Sequence, residues 1–389
     1  MSKPTDSTTD PDEVTTDPAV TTAAPDSTTK HQRIRLWFKR HWKIIIPIAI
    51  VLLAAGAAAA YILIYPPKPA AVTPVATKSA SPTPAPTPIT KLSPLTGLPV
   101  DPALADRPIT SVIIENHPDA RPQSGLGQAG VVYEALAEGG ITRFQAFFLD
   151  QRPTTVGPVR SLRTYFVDWG LEFNAPVAHA GGNADALDLV GPLGMKDINA
   201  LSFAANGFYR AKDRNVATEH TLYTNSDLLD ALNARLGFAK PASFTVSPRK
   251  ADAPNAAAPH PNIHVNFSYN GYQVDYTYDP QTNDYARALA GAPHIDRNTG
   301  AQIHVKNMVV EYMPTSYGTT RTGEQTVIMQ TVGQGRALVF RDGDVVAGTW
   351  TKASHSARTK LLDAAGVEIP LDAGNTWYSV IPTGNVVTY

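Results

Sequence analysis

The feature that most constrains this chain is an apolar run over residues 44–65. It spans 22 positions, from Ile44 to Tyr65, and none of them is Asp, Glu, Lys or Arg. A helix rises about 1.5 Å per residue, so about 20 apolar residues cross the hydrocarbon core of a bilayer. Tyr61 and Tyr65 stand near the end of the run, where amphipathic rings favour the membrane interface. The run therefore predicts one transmembrane helix that contacts the lipid bilayer.

The charges before this run predict its orientation. Residues 30–43 carry six Lys and Arg side chains and no acid. Because basic flanks stay cytoplasmic, we expect a cytoplasmic N-terminus and extracytoplasmic C-terminal domains in a single-pass cell-membrane protein. A cleavable signal peptide is the alternative, since small residues occur at 57–60. The long leader and the length of the run favour an anchor.

Two segments have compositions that do not favour a packed core. Residues 1–29 contain nine Thr, six acidic residues and no aromatic residue, so the burial of apolar surface cannot offset the entropy of ordering. We therefore predict that 1–43 is a disordered cytoplasmic tail ending in the basic flank. Residues 66–94 contain nine prolines, which predicts an extended, Pro-rich linker between the membrane and the exported domains.

The composition excludes several classes of protein. The 389 residues contain no cysteine, which excludes disulfides, a thiol nucleophile, a Cys-ligated zinc and a lipid-modified cysteine. The formal net charge is −1, and the exported part is mildly acidic, so we expect no nucleic-acid partner. No cofactor is expected from the sequence.

Residues 95–245 alternate between strand-like and helix-like runs. The predicted strands are 109–116, 141–149 and 176–180, and the predicted helices are 129–138, 161–173 and 225–237. Ser161 is the candidate N-cap of the second helix, Asn225 or Ser226 is that of the third, and Gly237 is the predicted stop of the third. This alternation predicts an α/β layered domain.

Residues 262–389 are predicted to be mainly β, and the Pro-rich stretch 241–262 is the predicted domain boundary. Asn270-Gly271 and Asp342-Gly343 are strong hairpin turns between alternating runs. Further strands are predicted at 302–313, 325–332 and 376–381.

Polar residues follow three predicted strands of the first half. Asn116 follows the first strand, Asp150 the second, and His179 and Asn183 the third. Ligands of open α/β sheets bind outside the carboxyl ends of parallel strands. If these strands are parallel neighbours, the polar side chains share one rim. The alternative is ordinary loop polarity.

A second candidate site is the segment 157–163, which enters a predicted helix. Helix N-terminal amides favour an anion, and Arg160 and Arg163 can add bidentate contacts to a carboxylate or phosphate. Structural pairing of these arginines with Asp or Glu is the alternative. Ser161 is a weak candidate nucleophile, because no Gly-x-Ser-x-Gly elbow surrounds it.

A third group consists of Glu134, Glu138 and Arg143. Glu134 and Glu138 are four residues apart and would share one side of the predicted helix. Paired carboxylates can act as general acid and base in glycoside hydrolysis. A solvated helix face is the alternative reading of the pair.

The histidines have no spacing typical of a metal-binding motif, and no metal site is predicted. A set that converges in space, from His117, His179, His220 and Asp150, stays open. A satisfied polar contact is the alternative for each residue.

In the second half, His294 and Asp296 alternate along one predicted strand face. With Arg287 they are candidates for lining a surface groove.

Short motifs occur in a fixed order through the exported part. They lie at 94–99, 121–126, 132–134, 138–143, 157–161, 179–182, 220–224, 285–287, 294–296, 343–350 and 374–377. Together they resemble the YerB-like family of bacterial surface lipoproteins, which has paired N- and C-terminal domains of unknown function (DUF 3048). The resemblance covers 94–389 and implies an extracytoplasmic, membrane-tethered domain pair. It implies no particular reaction or cofactor.

The chain departs from this family pattern at two points. It lacks the lipid-modified cysteine, whose anchoring role the predicted helix at 44–65 would take. It also has Glu219 before His220, where the family usually has proline.

The predicted function is binding of a cell-envelope ligand or a protein partner through the α/β cleft. An envelope hydrolase or transferase, with acid and base residues in the same cleft, is the alternative. The candidate ligand-binding residues are Asn116, Glu138, Arg143, Asp150, Arg160, Ser161, Arg163, His179, Asn183 and His220.

Overall fold

The computed structural model describes residues 30–64, 90–241 and 243–389. Contacts divide the chain into two compact units, Met1–Pro84 and Ala85–Tyr389. Of the disordered tail predicted for 1–43, residues 1–29 lie outside the described residues, whereas residues 30–43 are helical. Of the Pro-rich linker predicted for 66–94, residues 66–89 lie outside the described residues, whereas Lys91–Leu92 form a short strand.

The described part of the first unit is one helix, α1, over Lys30–Ile64, with Pro47 inside it. Residues 44–64 of the predicted membrane span therefore lie within helical structure. However, no helix among residues 30–64, 90–241 and 243–389 is both long and apolar enough to cross a membrane. The predicted transmembrane helix over 44–65 is not supported.

The second unit contains five further helices in its described part. They are α2 Pro102–Ala105, α3 Thr164–Glu172, α4 Ala184–Leu193, α5 Ala200–Gly207 and α6 Ser226–Leu236. The strands, in chain order, are β1 Lys91–Leu92, β2 Pro99–Val100, β3 Thr110–Glu115, β4 Val131–Leu136, β5 Thr142–Phe148, β6 Val177–His179, β7 Asp197–Asn199, β8 Tyr209–Arg210, β9 Leu222–Tyr223, β10 Arg249–Lys250, β11 Asn262–Asn266, β12 Gln273–Asp279, β13 Asp284–Leu289, β14 Ala292–Pro293, β15 His304–Val305, β16 Asn307–Met313, β17 Thr315–Thr319, β18 Gln325–Met329, β19 Gly333–Arg341, β20 Asp344–Lys352, β21 Lys360–Leu362, β22 Leu371–Asp372, β23 Thr376–Pro382 and β24 Val387–Thr388.

These elements confirm a mixed α/β first half and a mainly β second half. Strands of both halves share one ten-stranded sheet, in the order β21-β20-β19-β16-β23-β4-β5-β3-β6-β7. The halves meet where β4 pairs in parallel with β23. A second sheet has the order β14-β13-β12-β11-β24, with β15 also paired to β13. Because main-chain hydrogen bonds cross from one half to the other, the division into domains at 95–245 and 262–389 stays a prediction.

An aromatic stack lies in the core where the halves meet. The Tyr133 ring of β4 stacks on Trp169 of α3, with centroids 4.5 Å apart, and on Tyr378 of β23, with centroids 4.3 Å apart. All three side chains are buried. Buried aromatic pairs contribute about 0.5–1.5 kcal/mol beyond their area, so the stack helps to fix this junction.

The prediction of a helix over 129–138 is wrong, because these residues include β4 at Val131–Leu136. All six residues of β4 are buried between neighbouring strands and covering layers. Val131, Val132 and Tyr133 are residue types that pack well in such a strand. Glu134 therefore lies on a strand, and Glu138 begins a 3₁₀ turn over Glu138–Gly140. They do not share a helix face.

Turn and cap residues predicted other elements correctly. Asn225 caps α6 by accepting a hydrogen bond from the Leu228 amide, and Gly237 ends that helix with φ 75°. The Asp342-Gly343 turn joins β19 to β20, with positive φ at both residues. This is the backbone that a two-residue hairpin needs, and Asp and Gly tolerate it. The hairpin around Asn270-Gly271 is also present, between β11 and β12.

Candidate functional site

The candidate site lies at the edge of the sheet where β3 and β6 diverge. These strands pair in parallel through Ser111 and Val112. Beyond that point the segment 159–162 lies between them: the Arg160 amide donates to Ile113, and the Arg160 carbonyl accepts from Ala180. Arg160 is thus held in extended backbone at the rim of the sheet.

This geometry corrects the prediction for segment 157–163. Helix α3 begins at Thr164, with Arg163 as its N-cap and no side-chain capping bond. Ser161 is therefore not the cap, and Arg160 lies before the helix. The two arginines are presented by an extended segment rather than by one side of a helix. The extended backbone is stabilised by its hydrogen bonds to the two flanking strands.

A buried carboxylate pairs with Arg160 at this rim. The Glu115 Oε1 atom lies 2.8 Å from Arg160 Nε, and its Oε2 atom lies 2.8 Å from His220 Nδ1. The side chains of Glu115 and His220 are buried, whereas 27% of the Arg160 side chain is exposed. Glu115 therefore connects a buried imidazole to an arginine that reaches solvent.

Two short turns bring a second histidine and an aspartate to His220. His117 caps the turn Pro118–Ala120, and the Asp119 amide donates to its Nδ1 atom. The rings of His117 and His220 stack with centroids 4.8 Å apart and planes 12° apart. The Asp119 carboxylate lies 3.7 Å from His117 Nδ1 and 3.9 Å from His220 Nε2. We call His117, Asp119 and His220 the histidine–aspartate cluster.

Three arginines lie together on the same edge of the sheet; we call Arg143, Arg160 and Arg163 the arginine cluster. Arg143 is the register partner of Glu115 on β5. Arg163 Nε donates to Glu138 at 2.6 Å. Burial alone would raise the pKa of Glu138, but the hydrogen bond and charge of Arg163 hold it below its ordinary value.

Arg143 differs from the other two arginines in its partners. Its Nη1 atom donates to the Ser161 carbonyl at 3.2 Å. Within the described ranges, no carboxylate lies at ion-pair distance from it. Burial, and then the charge of Arg163, lower the pKa of Arg143 to about 10. Arg143 therefore stays charged at neutral pH, and among the described residues only the more distant Glu138 carboxylate, which is already paired with Arg163, acts on it as an anion.

Asp150 does not join this edge. The shared rim required parallel strands, but β3 and β5 are antiparallel, with Thr110 opposite Phe148. Asp150 therefore lies at the opposite end of the sheet, where it accepts hydrogen bonds from the Ser93 and Thr96 hydroxyls. Its contacts hold the segment before β2 against the sheet.

His179 and Asn183 lie near the rim but are engaged elsewhere. Both ring nitrogens of His179 face acceptors, the Gly181 carbonyl and the Asp197 carboxylate, each at 2.7 Å. Asn183 caps α4 and donates to the Thr326 hydroxyl at 2.8 Å. Both side chains are buried.

Six of the ten candidate ligand-binding residues lie at the rim in the contacts described above. They are Glu138, Arg143, Arg160, Ser161, Arg163 and His220.

Asn116 belongs to a second polar network, on the other face of the sheet. It donates to Thr142, whose hydroxyl donates to Glu134 at 2.9 Å. Glu134 also pairs with Arg287 of β13. The network closes through His294 and Gln123, and all six side chains are buried. We call Glu134, Arg287, His294, Gln123, Asn116 and Thr142 the buried ring.

Hydrogen-bond direction is consistent around the buried ring. A guanidinium only donates, so His294 accepts from Arg287 at Nδ1 and its Nε2–H donates to Gln123. Gln123 in turn donates to Asn116 at 2.9 Å. Burial and the charge of Arg287 place the pKa of His294 well below its ordinary value. His294 and Arg287 are thus buried, and the predicted surface groove is wrong at these positions.

A groove of about 1260 Å³ lies elsewhere in the second unit. It runs between the ends of α3 and α4 and the base of the β19–β20 hairpin, and none of the predicted site residues lines it. Lys352 in this groove pairs with Glu172 at 2.9 Å, and Arg358 pairs with Glu368. The groove offers space, but these lining charges are already neutralised within the protein.

Sequence reasoning missed Asp119 as a site residue. The pattern His117-Pro118-Asp119 contained the information, since proline starts a turn that folds the aspartate back towards the histidine. The open histidine set was right in part, because His117 and His220 do converge. His179 and Asp150, the other members, are not with them.

Two family models match the second unit. The N-terminal domain of the protein family of unknown function DUF3048 matches residues 95–239, and its C-terminal domain matches residues 263–378. The chain belongs to this family. Both the arginine cluster and the buried ring draw residues from the N-terminal match, and the ring adds Arg287 and His294 from the C-terminal match.

Two relatives support this assignment. The chain is 33% identical over 298 residues to "Putative lipoprotein YerB" of Bacillus subtilis, covering 75% of this chain and 86% of that protein. It is also similar to the crystal structure of the YerB protein from Bacillus subtilis, with a TM-score of 0.67 and 30% identity. That match covers 77% of this chain and all of the solved chain.

Proposed function

We propose that this protein is a surface protein of the bacterial cell envelope that binds an anionic envelope ligand at the arginine cluster. The lipoprotein name of the Bacillus subtilis relative supports the envelope location. Because the 389 residues contain no cysteine, the proposal does not include a lipid attached to a cysteine.

The observation that carries the proposal is the unmatched charge of Arg143. Arg160 has Glu115 and Arg163 has Glu138, whereas Arg143 has the Ser161 carbonyl. A partly buried guanidinium without a carboxylate at ion-pair distance loses hydration that no ion pair replaces, and the pKa of Arg143 is lowered accordingly. An anion bound beside Arg143 would remove this cost and accept bidentate hydrogen bonds from the guanidinium.

The chemistry of the cluster defines the ligand class. Three guanidinium groups within one rim favour carboxylate or phosphate groups, which match the fork of arginine donors. In an envelope these groups occur on peptide stems and on phosphate-containing wall polymers. The hydrolase alternative depended on Glu134, Glu138, Asp150 and His179, and each of these side chains is engaged in the internal contacts described above.

The test is retention of the purified full chain on isolated cell wall. Wild-type protein is compared with Arg143→Gln and with the control Arg321→Gln, which changes a surface arginine that pairs with Asp188 outside the arginine cluster. A charge-assisted hydrogen bond contributes about 1.5–3 kcal/mol, so Arg143→Gln is expected to lose about tenfold or more in retention. Arg321→Gln is expected to bind as the wild type does.

Two wall preparations distinguish the sources of the anion. Intact wall is compared with wall from which phosphate polymers have been extracted. Loss of binding after extraction indicates phosphate, and full binding indicates carboxylate. Equal retention of wild-type and Arg143→Gln protein on intact wall would refute the proposal.

A further inference from the structure

We infer that the histidine–aspartate cluster is a binding site for a divalent transition metal of the Zn²⁺ type. Among the described residues, His117, Asp119 and His220 each offer one ligand atom, and these three atoms lie within 4.8 Å of one another. This inference goes beyond the proposed anion site and does not depend on it.

The distances from the Asp119 carboxylate to the two imidazoles are close to those between the ligands of a zinc site. Tetrahedral zinc with bonds of about 2.1 Å places its ligand atoms about 3.4 Å apart. The Asp119 Oδ2 atom lies 3.7 Å from His117 Nδ1 and 3.9 Å from His220 Nε2. Shifts of a few tenths of an ångström close these two distances. Rotation of the partly exposed His117 ring out of its stack on His220 lets the two imidazoles converge on one metal, since all three ligand atoms lie within 4.8 Å of one another. Asp119 is exposed and can make this movement.

Hydrogen-bond partners orient the two imidazole rings of this site. His117 Nδ1 accepts a 3.3 Å hydrogen bond from the Asp119 amide, and a metal bound at Nδ1 would take the place of that amide. The Nδ1 atom of His220 faces the Glu115 carboxylate at 2.8 Å. Donation from Nδ1–H to Glu115 leaves the Nε2 lone pair directed towards Asp119.

Glu115 is the positioning residue of this site. Metal-bound histidines commonly donate their second N–H to a carboxylate, which fixes the tautomer and makes the imidazole a better ligand. Glu115 is buried and its other oxygen is held by Arg160. It therefore orients His220 without contacting the metal.

The donor set selects the class of metal. Two imidazoles and one carboxylate suit Zn²⁺ and neighbouring transition metals, whereas Ca²⁺ and Mg²⁺ prefer oxygen ligands. Three protein ligands also leave a position for water, as in catalytic zinc sites. Arg160 lies beside this position through its contact with Glu115, so an anionic group could reach both the metal and the arginine.

The test is titration of the untagged full chain with Zn²⁺, Co²⁺ or Mg²⁺ alone, followed by calorimetry and by the visible absorption of Co²⁺. We expect one Zn²⁺ per chain and a Co²⁺ absorption band that Zn²⁺ displaces. Removal of a direct ligand in Asp119→Ala or His117→Ala is expected to weaken Zn²⁺ binding by at least about 100-fold. Glu115→Gln is expected to weaken it by about 10- to 100-fold and to change the Co²⁺ spectrum.

The control variant is His264→Ala, which removes an exposed histidine from a His–Asp pair elsewhere on the second unit. It is expected to bind Zn²⁺ as tightly as the wild type does. Zn²⁺ binding that Asp119→Ala and His117→Ala retain in full would overturn the inference, as would binding of Mg²⁺ as tight as that of Zn²⁺. Both ligand positions are at least partly exposed, and thermal melts verify that the variants fold.

Cell-wall retention separates this inference from the proposed function. Asp119→Ala protein that loses Zn²⁺ but stays on the wall supports the metal site as an independent property. Failure of Arg143→Gln to affect wall retention leaves the metal measurement unchanged.

Discussion

The buried ring and the arginine cluster use the same residue types on opposite faces of the same strands. Glu115 and Asn116 are adjacent at the end of β3, and Thr142 and Arg143 are adjacent at the start of β5. Since side chains alternate along a strand, one member of each pair enters the ring and the other enters the rim. The difference between the two regions therefore begins with the pleat of the sheet.

The two regions differ in how their polar groups are matched. In the ring, a chain of hydrogen bonds runs from the Arg287 guanidinium to the Glu134 carboxylate, and the ion pair between these two groups closes it inside the protein. At the rim, Arg143 has no carboxylate at ion-pair distance among the described residues, and Arg160 reaches solvent. Glu, Arg and His side chains that lie together therefore do not by themselves indicate a ligand site. A charged group without an ion-pair partner at an accessible edge of the sheet does.

The largest expected effect is on the ring. Glu134→Ala would leave the Arg287 guanidinium buried without its carboxylate, which costs about 3–5 kcal/mol of unfolding free energy. Urea unfolding followed by tryptophan fluorescence measures this loss. A companion Glu134→Met, Arg287→Met protein should recover part of it, because both charges are then absent. A loss under about 1 kcal/mol in the single variant would show that the ring does not stabilise the fold.

The second expected effect is on the pH dependence of stability. The pKa of His294 in the folded chain lies well below its ordinary value, because of burial and the nearby charges of Arg287 and Arg121. As the pH falls below about 6.5, the unfolded chain binds a proton that folded His294 does not. Between pH 7.5 and pH 5 this residue therefore lowers the free energy of unfolding by up to about 2 kcal/mol.

The measurement is urea unfolding at a series of pH values for wild-type and His294→Gln protein. The variant is expected to be less stable at pH 7.5 but to lose less stability on acidification. Arg321→Gln, at an exposed position outside the ring, serves as the control and should follow the wild-type profile between pH 7.5 and pH 5. Parallel profiles for wild type and His294→Gln would contradict a neutral buried imidazole.

A smaller effect is expected at Asp150, which the sequence predicted to lie in the ligand site. Its carboxylate accepts from the hydroxyls of Ser93 and Thr96, both buried. Asp150→Asn keeps one acceptor and loses the other, at a cost of about 1 kcal/mol. Thermal melts and wall retention are measured on the same sample. Reduced wall retention by a fully folded variant would place Asp150 in ligand binding.

Local sequence patterns predicted much of the secondary structure. Apolar runs predicted the strands β3, β5 and β23. The Asn225 cap and the Gly237 stop predicted the two ends of α6, and the Asp342-Gly343 turn predicted the hairpin of β19 and β20. The error at 131–136 arose because a strand buried on both faces lacks the alternation that distinguishes strands from helices.

The candidate site was less predictable because it depends on pairing between distant residues. The antiparallel direction of β5 removed Asp150 from the rim, and no local pattern specifies that direction. The ring joins Glu134 to Arg287 across 153 positions and Gln123 to His294 across 171. The arginines were found because their types match anions, but which of them lacks a partner follows only from the three-dimensional contacts.

The most direct test of the central claim combines stability and wall retention in one variant, Arg143→Gln. Its unfolding free energy is expected to stay within about 0.5 kcal/mol of wild type, because the removal of a partly buried charge offsets the loss of the hydrogen bond to the Ser161 carbonyl. Its retention on intact cell wall is expected to fall about tenfold or more. A variant that loses several kcal/mol of unfolding free energy, or that binds the wall as wild type does, would contradict the claim that the arginine cluster binds an anionic ligand.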